Sequence, residues 1–203
     1  MGKVIMKLNW AERCVVNNPI RVLEQGFQVR WMKGVLELAP GGTVLEVGCG
    51  RGAGAGLIRE HFRPASLHAQ DLDERMIHKA RRYLSPEARA EMFLFVADTV
   101  QLPYRHAVMD AVFCFGVLHH VPDWQTALSE LARVLKPGGV LYLEEIYPTV
   151  YLNPITRHLL LHPRENRFQS QDLHAALRQH QFRMRAAKEH WALGILAVAV
   201  KDH

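Results

Sequence analysis

The sequence predicts a single α/β domain built around a mostly parallel β-sheet, and three observations lead to that fold class. Short β-branched runs alternate with longer amphipathic runs, as in repeated strand–helix units. A glycine-rich segment follows the first of these strands, where such folds turn from strand to helix. The chain has 203 residues, of which 49% are hydrophobic and 22% charged, enough for one buried core. We therefore expect one domain over residues 1–203.

The central strands and helices can be assigned in order along the chain. The predicted strands are Thr43–Val47, Ser66–Gln70, Met92–Ala97, Ala111–Phe115 and Val140–Glu144. The helices between them are Ala53–His61, Glu74–Leu84 and Trp124–Leu135. The last helix follows an acidic N-cap at Asp123 and stops at Lys136-Pro137-Gly138-Gly139, which reads as a helix terminator followed by a turn.

The segments on either side of this core have weaker patterns. Asn17-Asn18-Pro19 provides an N-cap and a proline at the first helical position, so Ile20–Leu38 is predicted to be one amphipathic helix. After Glu145, three prolines interrupt the pattern before it becomes regular again. There the sequence predicts a helix over Ser170–His180 and two closing strands over Phe182–His190 and Trp191–Val200.

The net charge of +5 is distributed unevenly along the chain. Residues 1–40 carry +3, residues 41–146 carry −2 and residues 147–203 carry +4. A positive surface on the two flanks can face an anionic substrate, an anionic membrane or nucleic acid, and composition does not choose among them.

Cysteine usage and hydropathy favour a reducing, cytoplasmic location. Cys14, Cys49 and Cys114 form no CxxC pair, so neither a disulfide framework nor a thiolate metal site is indicated. The longest uncharged apolar stretch, Trp191–Val200, has ten residues and is too short to span a membrane as a helix. Charged residues near the N-terminus interrupt any signal-peptide core, so we expect neither secretion nor a transmembrane segment.

The glycine-rich segment after the first strand is the first candidate binding element. It runs from Gly48 to Gly54 and leaves backbone N–H groups at the start of the next helix. Glycine permits close approach of the backbone to a ligand, and such N–H groups suit an anionic or carboxylate-bearing one. Gly48-x-Gly50-x-x-Ala53 also satisfies a relaxed dinucleotide fingerprint, and a purely structural connection remains an alternative.

Acidic residues follow the next two strands at related positions. Asp71 ends the second strand, where a carboxylate can accept hydrogen bonds from two ribose hydroxyls. Ala97-Asp98-Thr99 ends the third strand, and the fourth runs from Asp110 into Phe115-Gly116 and on to Val121.

These motifs, in this order, resemble the class I S-adenosylmethionine-dependent methyltransferases over residues 41–146, closest to the small-molecule branch that includes ubiquinone- and menaquinone-pathway enzymes. The resemblance implies a Rossmann-like, seven-stranded, mostly parallel sheet with helices on both faces and the last strand antiparallel. It implies S-adenosyl-L-methionine as cofactor and S-adenosyl-L-homocysteine as product. The cofactor-binding residues it implies are Glu46, Gly48, Cys49, Gly50, Gly52, Asp71, Leu72, Asp98, Thr99, Phe115 and Gly116.

Two histidines are candidates for the chemistry itself. Methyl transfer from a sulfonium is an in-line displacement that depends on alignment and exclusion of water, so no protein nucleophile is needed. A general base helps when the acceptor is a phenol, an alcohol or a carbon acid. His119 and His120 follow the fourth strand and either can be that base, although the same residues also fit the common turn of the family.

The resemblance also implies that the two basic flanks roof the substrate pocket. Residues 1–40 would then be a helical lid, and residues 147–203 a substrate-side insertion with the closing strands. The candidate substrate residues are Trp31, Tyr147, Tyr151 and Arg157, and Arg164 joins Arg157 as a basic candidate. Aromatic groups with arginines favour a small aromatic, quinone-like or lipid-like acceptor, with contact to an anionic membrane surface as a further hypothesis. Ordinary core packing or a dimer contact explains the same residues, and we expect a monomer or homodimer.

Several alternative functions compete with this one. A nicotinamide-dependent reductase of the short-chain type needs Tyr-x-x-x-Lys, and none of the five tyrosines has lysine four residues later. Nucleic-acid methylation is disfavoured because Phe115-Gly116-Val117-Leu118 stands where amino-methylating enzymes carry a Pro-Pro-aromatic run. His158 and His162 have metal-ligand spacing, but Pro163 and the lack of a nearby acidic ligand argue against a metal. A non-catalytic cofactor-binding or regulatory protein on the same fold stays open.

Overall fold

The computed structural model describes residues 18–151 and 166–202, and these residues form a seven-stranded sheet. Its strands are β1 (Thr43–Val47), β2 (Ser66–Asp71), β3 (Met92–Val96), β4 (Met109–Phe115), β5 (Leu135–Ile146), β6 (Phe182–His190) and β7 (Gly194–Lys201). Their order across the sheet is β3-β2-β1-β4-β5-β7-β6. Strands β1 to β5 pair in parallel, and β7 runs antiparallel to both β5 and β6. The predicted fold class, with its antiparallel last strand, is confirmed.

Helices connect the strands and precede the sheet. They are α1 (Pro19–Val35), α2 (Ala53–Phe62), α3 (Glu74–Tyr83), α4 (Pro86–Ala90), α5 (Trp124–Val134), α6 (Pro148–Tyr151) and α7 (Ser170–Gln179). The predicted caps are present, since Asn18 Oδ1 accepts a hydrogen bond from Ile20 N at 3.0 Å and Asp123 Oδ1 accepts from Thr126 N at 3.2 Å. Within the described ranges, no helix combines the length and apolar character needed to cross a bilayer.

The core lies on both faces of the sheet because adjacent strand residues point to opposite sides. Val44 and Phe113 pack with α1, α2 and α3 on one face. Leu45 and Val112 pack with α5 and α7 on the other. Two helix layers therefore sandwich the sheet and leave the ends of the strands to carry the loops.

Two local features differ from the sequence prediction. The predicted turn at residues 136–139 falls within the range of β5, between Leu135, which pairs with Met109, and Val140, which pairs with Ala111. The register shifts between Met109 and Ala111, so residues 136–139 have no pairing partner in β4, and Gly138 has a φ of +76°. The short helices α4 and α6 were not predicted, because elements of five and four residues do not develop a readable helical period.

The carboxyl ends of β1, β2, β4 and β5 lie at one edge of the sheet, as parallel pairing requires. The turn between β6 and β7 lies at the same edge, because Gly194 pairs with Ile146 at the end of β5. Helix α1 reaches this edge through an ion pair between Arg21 and Glu144. The fold thus brings the predicted cofactor loop, the histidine turn and α1 to one place.

Candidate active site

The turn after β1 can be built only with glycine at its tightest positions. Gly48 has a φ of +64°, and a Cβ atom there would lie 2.5 Å from Cγ2 of Val117. Gly52 has a φ of +87°, and its Cβ would lie 3.0 Å from Leu84 Cδ1. Cys49 N donates to the Gln70 carbonyl at 2.8 Å, which fixes the turn against the end of β2. Val117, in the loop after β4, therefore packs directly on this glycine turn.

The Glu46 carboxyl lies beneath the first turn of α2. It is 2% exposed, and a Cβ atom at Gly54 would overlap its Oε1. Its Oε2 has no hydrogen-bond partner among the residues that the structure describes. Burial, reinforced by the nearby negative charge of Asp71, raises the pKa of Glu46 to about 8. A buried oxygen without a partner is unfavourable, so this position favours a cationic or hydrogen-bond-donating ligand group.

The second predicted carboxylate, Asp71, is held against the glycine turn. Gly50 N donates to its Oδ2 at 2.9 Å, and Asp73 N donates to its Oδ1 at 2.8 Å. Burial raises the pKa of Asp71, and the two backbone N–H groups act in the opposite direction. Leu72 beside it is 40% exposed, which leaves an apolar side chain on the surface at the edge of the site.

The loop after β3 is joined to the same edge through Gln70. Gln70 Nε2 donates to Thr99 Oγ1 at 3.0 Å, and Asp98 Oδ1 accepts from Val100 N at 3.1 Å. Gln70 is fully buried, and its Oε1 has no hydrogen-bond partner in the described part of the chain. Gln70 was not predicted as a site residue, although a glutamine at the end of a buried strand is a signal that can reveal such a residue.

On the β4–β5 side, the carboxylate of Glu145 organises the histidine turn. Its Oε1 accepts from Val117 N at 3.0 Å and from Leu118 N at 2.8 Å. Its Oε2 lies 3.3 Å from His119 N and 2.7 Å from His119 Nδ1. Glu145 is 1% exposed and was not predicted as a site residue. One buried carboxylate therefore holds the backbone of three consecutive residues and an imidazole ring.

His119 lies between the glycine after β4 and two aromatic rings. A Cβ atom at Gly116 would lie 3.4 Å from His119 Cε1. The His119 ring centroid is 4.2 Å from that of His120 and 5.9 Å from that of Tyr151. Phe115 is almost fully buried at the end of β4. The structure therefore brings both predicted histidines, Phe115, Gly116 and Tyr151 together.

Helix α1 is fixed to the end of β5 by Glu144, the neighbour of Glu145. Arg21 donates to Glu144 Oε2, and Gln28 Nε2 donates to Glu144 Oε1 at 3.2 Å. Farther along the helix, Trp31 is half-buried and Lys188 Nζ lies 5.1 Å from its ring centroid. Consecutive residues of β5 thus hold two different elements at this edge of the sheet.

The remaining substrate candidates lie in different surroundings. Tyr147 is buried in the core that contains Trp124 and Phe168, and its hydroxyl donates to the Glu189 carboxylate. Tyr151 is also buried, but its ring stacks near His119. Outside the described residues lie Arg157, His158, His162 and Arg164. Within residues 18–151 and 166–202, no group of three His, Cys, Asp or Glu side chains is arranged to hold a metal ion.

Residues 45–143 match a family described as a methyltransferase domain. Over 108 residues the chain is 36% identical to the fatty-acid O-methyltransferase of Mycolicibacterium smegmatis, an alignment covering 53% of this chain and 38% of that protein. It is 31% identical over 113 residues to the 27-O-demethylrifamycin SV methyltransferase of Amycolatopsis mediterranei, covering 55% of this chain and 41% of that one. The chain therefore spans about two-fifths of the length of these curated relatives.

Solved structures share the fold at low identity. A chain of the complex between the Haloferax volcanii Trm112 methyltransferase activator and a methyltransferase superposes with a TM-score of 0.76 at 17% identity, covering 98% of this chain and 100% of that one. Geranyl diphosphate C-methyltransferase from Streptomyces coelicolor was solved with S-adenosyl-L-homocysteine. It superposes with a TM-score of 0.73 at 14% identity, covering 86% of this chain and 75% of that one. Residues 45–143 thus match a methyltransferase domain, and the described residues have the fold of these solved methyltransferase structures.

Proposed function

We propose that this chain binds S-adenosylmethionine at the carboxyl edge of the sheet and transfers its methyl group to a small aromatic, quinone-like or lipid-like acceptor. The observation that carries the proposal is the pair of carboxyl groups on either side of the glycine turn, of which Glu46 is buried and Asp71 is half-buried. Glu46 retains an oxygen without a partner in the described residues, and Asp71 is held by backbone N–H groups at the end of β2.

The residues present fit the parts of this cofactor. The orphan oxygen of Glu46 suits the cationic amino group of the methionine part, since a buried acceptor needs a donor. Asp71 has remaining lone pairs for the ribose hydroxyls, because each of its oxygens accepts a hydrogen bond from one backbone N–H group. Leu72 offers an exposed apolar surface for the adenine, while Asp98 and Thr99 provide polar atoms at its edge.

When bound, the cofactor supplies an electrophilic methyl group on a sulfonium, and the protein contributes alignment. Gly48, Cys49, Gly50 and Gly52 would bring backbone close to the methionine part. Phe115 and Gly116 end β4 beside this turn, because Val117 packs on Gly48. Buried aromatic surface at this point excludes water from the reacting atoms, and a fixed imidazole can receive a proton from a hydroxylated acceptor.

Several exposed apolar side chains support an apolar acceptor. Ile20, Leu23 and Phe27 lie at helical spacing along α1, and each is about two-thirds exposed or more. Trp191 and Leu193, in the turn between β6 and β7, are also exposed. Exposed apolar groups near a site mark surfaces for ligands or membranes. The curated relatives are named for fatty-acid and rifamycin methylation, which agrees with an apolar acceptor for this chain.

Calorimetric titration with S-adenosylmethionine, S-adenosylhomocysteine and NADH tests cofactor binding. Asp71→Ala is the test variant, and Asp202→Ala, at an exposed position paired with Arg183, is the matched control. We expect micromolar binding of both sulfur nucleosides, lost in Asp71→Ala and retained in Asp202→Ala. Binding of NADH alone would overturn the proposal.

Transfer of radiolabelled methyl to a panel of fatty acids, phenols, quinone precursors and amines then tests the acceptor class. Label in the fatty-acid, phenol or quinone-precursor products is the expected result. Cofactor binding with no transfer to any acceptor would favour the non-catalytic alternative.

A further inference from the structure

The hydrogen bonds of Glu145 fix the protonation of a neighbouring ring. Its two oxygens receive three backbone N–H groups from residues 117–119, in addition to the contact with His119 Nδ1. A carboxylate in this position only accepts hydrogen bonds. The proton in the 2.7 Å contact therefore lies on Nδ1, and in the neutral ring Nε2 carries the lone pair.

The ring that is fixed in this way lies next to the proposed cofactor site. Val117 packs on Gly48 of the glycine turn, and His119 Cε1 packs on Gly116 at the end of β4. Both contacts belong to the short segment whose backbone Glu145 holds. The carboxylate thus sets the position of the turn and the tautomer of the ring at the same time.

We infer that Glu145 is a positioning residue for methyl transfer, which holds His119 as the Nδ1–H tautomer so that Nε2 is the basic nitrogen of the acceptor site. This inference rests on the proposed function. When an acceptor hydroxyl attacks the methyl group, its proton passes to Nε2 of His119. The new O–C bond forms as the S–C bond breaks, and the electron pair of the broken bond stays on sulfur.

A backbone-holding role alone does not require a charged group. An amide oxygen at this position can accept the Val117 and Leu118 N–H groups as well as a carboxylate oxygen does. A carboxylate beside Nδ1 does more, because it also stabilises the imidazolium that forms when Nε2 takes up a proton. Burying a charge is costly unless it is paired, so a partner that can become positive suits a carboxylate at this position.

The Glu145→Gln variant separates these roles. It keeps the size of the side chain and one accepting oxygen for the backbone. Its NH₂ group, however, would face His119 Nδ1 as a donor and so move the ring proton to Nε2. The chain offers a matched control, Glu189→Gln, because Glu189 Oε2 lies 2.8 Å from Nε2 of a different histidine, His174.

Nitrogen-15 NMR of protein labelled at histidine reads the tautomer directly, with the His119 signals assigned by their loss in His119→Gln. We expect Nδ1–H in the wild-type protein, Nε2–H in Glu145→Gln, and no change at His119 in Glu189→Gln. Nε2–H in the wild-type protein would overturn the inference even if Glu145→Gln did not fold. An unchanged tautomer in folded Glu145→Gln would overturn it as well.

Binding and turnover distinguish this inference from the proposed function. Glu145→Gln should bind S-adenosylhomocysteine with an affinity within about twofold of that of the wild type. A wild-type protein that does not bind S-adenosylhomocysteine would count against the proposed function alone. For a hydroxylated acceptor, kcat should fall by about 10²–10⁴, the range for a lost general base, with KM for S-adenosylmethionine unchanged. An unchanged kcat for such an acceptor would overturn the inference.

Discussion

The two halves of the candidate site use buried carboxyl groups in opposite ways. On the β1–β2 side, Glu46 has an oxygen without a partner in the described residues, and Asp71 accepts one N–H on each oxygen. On the β4–β5 side, Glu144 is bound by Arg21 and Gln28, and Glu145 is surrounded by donors. The first pair leaves capacity for a ligand, whereas the second pair holds protein elements in place. Counting the hydrogen-bond partners of each carboxyl group at this edge of the sheet therefore distinguishes those that can bind a ligand from those that hold the protein together.

The largest expected effect is on stability, and it separates Glu145 from Glu46. Glu145→Ala leaves three backbone N–H groups and an imidazole without their acceptor, so we expect a loss of about 3–5 kcal/mol in the free energy of unfolding. Glu46→Gln leaves no comparable set of donors without an acceptor, so the free energy of unfolding should fall by no more than about 1 kcal/mol. Urea denaturation of both variants measures the difference. Equal losses would contradict the division into ligand-facing and framework carboxyl groups.

The packing of Glu46 under α2 gives the next largest effect. Gly54→Ala puts a Cβ against Glu46 Oε1 and also 2.9 Å from Gln25 Nε2, so it should cost about 1–3 kcal/mol as overpacking. Gly34→Ala is the matched control on α1, because a Cβ there meets nothing within 4 Å. The control should gain about 0.5–1 kcal/mol from helix propensity. Thermal unfolding measures both variants, and equal stabilities would contradict the close packing of Gly54 on Glu46.

The two halves differ in how much of them could be predicted from the sequence. Gly48, Gly50 and Asp71 were predicted because their signal is local: glycines follow one strand, and an acid ends the next. Glu144 and Glu145 are adjacent and chemically identical, so nothing in the sequence assigns them to different partners. Only the two-residue period of a strand, once its faces are known, points one toward α1 and the other toward the histidine turn.

The contrast between local signals and contacts between distant residues also explains which other parts of the fold could be predicted. Strand β1 begins and ends where its pattern predicted, because a buried apolar run next to glycines has sharp limits. The proline and glycines of residues 136–139 predicted a turn after the helix, and the early start of β5 was missed because it depends on the pairing of Leu135 with Met109. Gln70 was missed because its importance depends on Thr99, 29 residues later in the chain. Contacts between distant residues decided these cases.

In the β1–β2 half, Glu46 should make both stability and cofactor affinity depend on pH. The pKa of Glu46 is raised to about 8, above its ordinary value near 4.5, so the free folded protein holds a proton there at pH 7. The contribution of Glu46 to the free energy of unfolding therefore falls as pH rises from about 4.5 to 8, because over that range only the folded state keeps the proton. A cationic amino group bound beside Glu46 would release the proton, so affinity for S-adenosylhomocysteine should rise between pH 6 and 8, by at most about tenfold per unit.

Calorimetry in two buffers of different ionisation enthalpy measures that proton release. Glu46→Gln should release no proton and show a flat affinity over the same range, and Glu145→Gln should behave as the wild type does. Equal proton release from wild type and Glu46→Gln would show that another group titrates.

The smallest expected effect concerns the attachment of α1 to the β4–β5 half. Arg21→Gln removes a half-buried partner of Glu144 but leaves Gln28 in place, so the cost should be about 1 kcal/mol. Amide hydrogen exchange in the first turns of α1 should become faster. Arg183→Gln, which breaks an exposed pair with Asp202, should leave exchange in α1 unchanged. Slow exchange in Arg21→Gln would mean that α1 is held by its apolar face alone.

Binding of S-adenosylhomocysteine to Asp71→Asn and Glu145→Gln, measured side by side with wild type, tests the central distinction most directly. Both variants replace a carboxylate by its amide at the same edge of the sheet, half-buried at Asp71 and fully buried at Glu145. We predict that Asp71→Asn loses affinity by about 100-fold or more, as expected when a ligand's hydrogen bonds to a charged group are lost, and that Glu145→Gln stays within about twofold of wild type. Equal losses in the two variants, or a larger loss in Glu145→Gln, would contradict the assignment of the β1–β2 half to the cofactor.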